Sequence, residues 1–265
     1  MRGKRVLALV LIGLLSLSVI STVSAAPIFD LTEKNSGLVK VNYSESERQT
    51  KILIQKDEIS YYYQLRGEEG SFPLQLGSGD YRLSLLEQIE GNRYRIIHST
   101  KVAADISDER IPFLQSAQPV EWQEDMETVK LARSLVEGLE SAEEKAAALY
   151  EYIVHDFTYD KKKAASSLSP DYLPDVEETL VSKKGICYDY AVLFAVMARS
   201  SGIPAKVVMG YHPDVSGYHA WNEVYLPQEG GWVVVDLTYD LSMVERGIQE
   251  TMIKKGEAFQ KTKEY

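Results

Sequence analysis

The chain has 265 residues, 39 acidic against 29 Lys and Arg side chains, and a formal net charge of −10. That acidity excludes the basic surface that nucleic-acid binding requires. The length is enough for one large domain or two small ones, each with a buried core.

Residues 1–25 carry Arg2, Lys4 and Arg5, then an apolar run from Val6 to Ile20, then Val23-Ser24-Ala25-Ala26. This is the layout of an export signal, with cleavage expected after Ala25. The apolar run is short for a membrane span of about 20 residues, and an uncleaved anchor is the alternative. Removing the segment takes away three positive charges and no negative ones, leaving −13. No later segment is apolar enough to cross a bilayer, so the mature chain is expected to be secreted or held at the cell surface.

From Phe29 to Ile106 the pattern is that of strands. Leu38 to Tyr43, Lys51 to Ile54, Ile59 to Leu65, Tyr81 to Leu85 and Tyr94 to His98 are short β-prone runs. Turn residues separate them at Gly67 to Gly70, Gly77 to Asp80 and Gly91-Asn92. Six or seven strands at this spacing predict a small β-sandwich over 27–118, of the immunoglobulin-like kind. Tyr61, Tyr62 and Tyr63 are read either as a contact surface or as ordinary strand residues. His98 reads as structural.

A link containing Pro112 and Pro119 leads to a second domain over 119–265, which opens with a helical stretch. Met126 to Leu139 recur at helical spacing, and Ser141-Ala142-Glu143-Glu144 is a capping box opening a second helix. His155 falls near that helix's C-terminus, where a cation is favoured. Asp160 to Pro174 reads as an exposed loop, and the tail from Leu241 to Tyr265 as a short closing helix.

Cys187 is the single cysteine of the chain. In an exported protein, an unpaired cysteine points to a reactive thiol or an intermolecular disulfide. It precedes the apolar run Ala191 to Ala198, so it sits at a helix start, where free backbone N–H groups favour a thiolate and an oxyanion. Three antiparallel strands follow: Ala205 to Tyr211, Tyr218 to Leu226 and Trp232 to Thr238. They carry His219 and Asp236 at positions that antiparallel neighbours bring side by side. A carboxylate there holds an imidazole while its other nitrogen faces the thiol. Asp236 lies in an otherwise apolar run and needs a partner. No cofactor is expected, since one cysteine and scattered histidines lack zinc-ligand spacing.

Gly185-Ile186-Cys187-Tyr188-Asp189-Tyr190-Ala191, Gly217 to Val224 and Gly231 to Thr238 together resemble the core of the transglutaminase-like superfamily, in its bacterial secreted form. The resemblance implies an α+β, papain-like core, with a cysteine helix packed on an antiparallel sheet. It implies Cys187 as nucleophile, His219 as general base and acid, and Asp236 as the orienting group. Tyr159, Tyr188 and Trp221 are cleft candidates. Where papain-like proteases place an oxyanion-hole glutamine, this chain has Val181, and the calcium dependence of animal enzymes does not carry over. The implied activity is thiol-dependent acyl transfer from amide bonds of a protein or peptide substrate, including one associated with the cell surface or cell wall. Water as acceptor, giving a peptidase or amidase, and a non-catalytic binding module are the alternatives.

Overall fold

Alternation of apolar and polar residues builds the first part of the chain. The computed structural model describes residues 27–44, 46–248 and 251–265, so the expected export segment lies outside the described residues. The strands are β1 Phe29–Asp30, β2 Leu38–Asn42, β3 Thr50–Lys56, β4 Ile59–Leu65, β5 Glu69–Pro73, β6 Gly79–Glu90 and β7 Arg93–Ala104. They form a three-stranded sheet, β1-β2-β5, and a four-stranded sheet, β4-β3-β6-β7, antiparallel throughout. Val39, Val41 and Phe72 of the first share a core with Ile52, Ile54, Leu83 and Leu85 of the second. Each sheet thereby hides one face. Tyr61 and Tyr63 belong to this core, whereas Tyr62 is 57% exposed, so the tyrosine run is mostly strand alternation. The turn expected over 67–70 is shorter than that: Gly67 takes a positive φ and β5 is already under way at Glu69.

The rest of the chain is helical, then β. Its elements are α1 Glu127–Leu135, α2 Ala142–Asp156, β8 Thr158–Tyr159, α3 Lys161–Ala164, α4 Val176–Ser182, β9 Lys184–Gly185 and α5 Cys187–Ser200. After these come β10 Ala205–Tyr211, β11 His219–Leu226, β12 Gly231–Val235, α6 Leu237–Val244, β13 Ile253–Lys254 and β14 Gln260–Glu264. The capping box is present: Ser141 Oγ accepts from the Glu144 N–H at 3.1 Å, and the Glu144 carboxylate accepts from the Ser141 N–H at 3.1 Å. His155 lies in the last turn of α2, exposed, and pairs with Glu151 at 2.8 Å. Helix α1 stops at Leu135 instead of reaching Leu139, and Gly138 turns the chain with φ 78°.

Helix α5 is buried on every side from Asp189 to Arg199, which explains its nearly continuous apolar sequence. It packs on a five-stranded antiparallel sheet in the order β13-β12-β11-β10-β14. The tail is therefore not a closing helix. α6 begins earlier, at Leu237, and the last residues pair with β10, a non-local contact that local periodicity does not encode. β14 comes so close to β10 that a Cβ on Gly210 would lie 2.0 Å from the Gln260 carbonyl oxygen. Tyr265 packs against both cores, its ring edge-on to Tyr61 and Tyr63 at 5.5 and 6.0 Å. Buried Arg199 donates to the carbonyls of Ala205, Gln115 and Tyr265, tying α5 to the interdomain link and to the tail.

Candidate active site

The turn that presents Cys187 is held from outside its own helix. β8 pairs in parallel with β9, Thr158 opposite Lys184 and Tyr159 opposite Gly185. The Asp160 N–H donates to the Gly185 carbonyl at 2.8 Å. A Cβ on Gly185 would lie 2.8 Å from the Asp189 Cβ and 3.1 Å from the Tyr190 ring, so only glycine fits there without moving the turn. Cys187 is the first residue of α5 and is half-buried. Its thiol thus sits where unpaired backbone N–H groups and the helix dipole favour an anion.

His219 opens β11, opposite Gly210 of β10. β12 is in register with β11 through Asn222 opposite Val235, and the chain leaves the sheet at the next residue, Asp236. Asp236 divides its two oxygens. Oδ1 accepts from the Tyr239 N–H at 3.0 Å, capping α6, and Oδ2 lies 2.7 Å from His219 Nε2. Both residues are buried, at 1% and 3% exposure. Cys187 acts on the same imidazole, and with Asp236 it favours the protonated ring. Burial alone would lower its pKa. The hydrogen bonds and charges of Asp236 and Cys187 outweigh burial and raise it from 6.5 to about 10. This raised value stabilises the fold fully below pH 6.5, and the contribution is lost as pH climbs through about 10.

Residues 129–237 match the transglutaminase-like superfamily, a span that contains Cys187, His219 and Asp236. This segment belongs to that superfamily. Over 142 residues the chain is 31% identical to the protein-glutamine gamma-glutamyltransferase of Pseudomonas aeruginosa, a match covering 46% of this chain and 20% of that protein. It is 30% identical over 110 residues to Rv2569c, an uncharacterized protein of Mycobacterium tuberculosis, covering 36% of this chain and 33% of that one. The chain thus spans between a fifth and a third of these relatives. Among solved structures, the periplasmic domain of TgpA from Pseudomonas aeruginosa aligns with a TM-score of 0.43 at 18% identity, over 78% of this chain and 95% of that domain.

Within the transglutaminase-like core the three cleft candidates separate. Tyr159 is half-buried beside the thiol: burial, then the charges of Cys187 and Asp189, raise its pKa. Tyr188 points elsewhere, its ring 6.2 Å from Tyr172 and its ionisation pushed up by burial and by neighbouring Tyr265 and Tyr172. Trp221 is 1% exposed, 6.1 Å from the His219 ring and 5.1 Å from Phe259, and so forms a wall behind the imidazole instead of an open cleft surface. Val181 is 84% exposed on α4 and offers the thiol nothing.

Two residues escape a reading by motif. Asn222 Nδ2 donates to the carbonyls of Ala191 and Lys206, at 2.8 and 3.0 Å, tying the histidine strand to the cysteine helix. Asp189 is wholly buried in the first turn of α5. Like Asp236 it is a carboxylate heading into an apolar run, and the same need for a partner could have found it. A cavity of about 1020 Å³ lies elsewhere, between sandwich and core, lined by Arg66, Gln118, Trp122 and Leu173 and by none of Cys187, His219 and Asp236.

Proposed function

We propose that the chain is an exported cysteine acyltransferase, which takes an acyl group from a glutamine side chain of a protein or peptide and passes it to an amine. The observation that supports this most is the buried His219 imidazole held 2.7 Å from Asp236, with the Cys187 thiol at the start of α5 favouring its protonated form. In the first half-reaction the Cys187 thiolate attacks the carboxamide carbon. The oxyanion meets the Cys187 backbone N–H at the start of α5. His219, as imidazolium, gives its proton to the leaving nitrogen, ammonia departs, and an acyl-thioester remains. In the second, neutral His219 takes a proton from the incoming amine, whose nitrogen attacks the thioester. The C–S bond breaks, and the thiolate and imidazolium are restored. Asp236 keeps the imidazole oriented in both directions.

The basic-then-apolar segment 1–25 supports export, to a cell surface or its surroundings. Among the described residues no helix is long and apolar enough to cross a membrane. The relative of Pseudomonas aeruginosa named as a glutamine gamma-glutamyltransferase supports glutamine as donor.

Incubating the chain with a glutamine-containing peptide and a primary amine tests the reading. Ammonia and an amide adduct should form in equal amounts, and Cys187→Ser should abolish both. Ammonia without adduct would make the protein a deamidase, and a cut backbone a peptidase. No turnover of any amide would leave a binding module.

A further inference from the structure

Asp189 lies two residues after Cys187 and has no part in the chemistry above, yet it is fully buried and bound on three sides. Its Oδ2 accepts from the Ile186 N–H at 2.9 Å and lies 2.8 Å from Lys163 Nζ. Its Oδ1 accepts from the Tyr172 hydroxyl. Lys163 Nζ also stands 4.9 Å from the centre of the Tyr172 ring, so the three groups form one contact set. We propose that Asp189, Lys163 and Tyr172 form a charge-balanced clamp that positions the turn presenting Cys187. The proposal rests on reading Cys187 as the nucleophile.

Ile186 is the N-cap residue of α5, and its side chain offers no acceptor to the helix start. The Asp189 carboxylate reaches back to the Ile186 N–H and fixes the Gly185–Ile186 peptide, one residue ahead of Cys187. A carboxylate in the same helical turn as a thiolate is nevertheless a like charge and opposes it. Lys163 removes that opposition. Burial lowers the Lys163 pKa, but the hydrogen bonds and charge of Asp189 and Tyr172 outweigh it, so the lysine stays protonated. Burial, then Asp189, push Tyr172 up to about 12, so its hydroxyl remains a donor. The strap carrying both residues is moored on the sandwich. Asp171 pairs with Lys51 of β3 at 2.8 Å, and its carbonyl accepts from Gln64 of β4 at 2.5 Å. This gives the sandwich a mechanical route to the nucleophile.

The charged and titratable groups around the thiol are His219 from β11 with Asp236 behind it, Tyr159 from β8, and the clamp itself. The test is the pH–rate profile for alkylation of Cys187 in a folded full chain. Lys163→Met leaves an unbalanced anion and should move the profile about 0.5–1 pH unit higher. Asp189→Asn leaves an unbalanced cation and should move it lower by about as much. The double variant should return to the native profile, and Lys163→Arg should keep it. Opposite shifts that cancel support the clamp. Shifts of one sign, or none, overturn it and leave Asp189 a packing residue. Should Asp189→Asn fail to fold, Lys163→Met against Lys163→Arg decides alone, since Lys163 is partly exposed. A native chain without histidine-dependent alkylation would instead sink the underlying reading of Cys187.

Discussion

Asp236→Asn should lower kcat by about 10³–10⁴-fold while the protein stays folded. The substitution is selective because of the way Asp236 divides its oxygens. An amide oxygen can keep accepting from the Tyr239 N–H, so the cap of α6 survives. What disappears is the negative charge 2.7 Å from His219 Nε2, which both orients the ring and supports its protonated form. Steady-state kinetics on the glutamine-peptide assay, paired with a urea unfolding curve, separates the two effects. A loss below about tenfold with native stability would mean that Asp236 serves only as a helix cap.

Trp221→Ala should cost about 3–5 kcal/mol of stability, the range for emptying a fully buried aromatic site. Its indole fills the space between His219, Phe259 and the backbone of Gly210, so tightly that a Cβ at this glycine would lie 2.9 Å from the ring. Because the ring backs the imidazole, kcat should fall as well, and Trp221→Phe should restore most of both. Urea unfolding reads the first effect and turnover the second. A stability change under about 1 kcal/mol with a raised KM alone would return Trp221 to the substrate cleft, as its position in the motif implied.

The parts of this site that are legible in the sequence are those encoded locally. Cys187 before an apolar run gives a helix start, and the Ser141/Glu144 pair gives another, because capping is settled within a single turn. His219 and Asp236 are legible for a related reason: short turns between antiparallel strands fix neighbours. The illegible parts depend on distant chain. β14 forms because β10 offers an unpaired edge, while the tail's own charges mask any strand pattern. Asp189 looks like an ordinary acid in a first helical turn. Its burial is possible only because Lys163 and Tyr172 return from a loop that reads as exposed. Tyr188 and Trp221 sit within two residues of Cys187 and His219 in sequence, yet side-chain direction takes one to Tyr172 and the other behind the imidazole.

Alkylation of Cys187 by iodoacetamide, followed against pH in the native chain and in His219→Gln, decides whether thiol and imidazole act as a pair. With the imidazolium held to about pH 10, the native thiol should react readily even near neutral pH. The variant should be at least about tenfold slower there, and the two should converge above about pH 9. Superimposable profiles, both rising only near the ordinary thiol value of about 8.5, would contradict a thiolate–imidazolium pair and with it the catalytic reading.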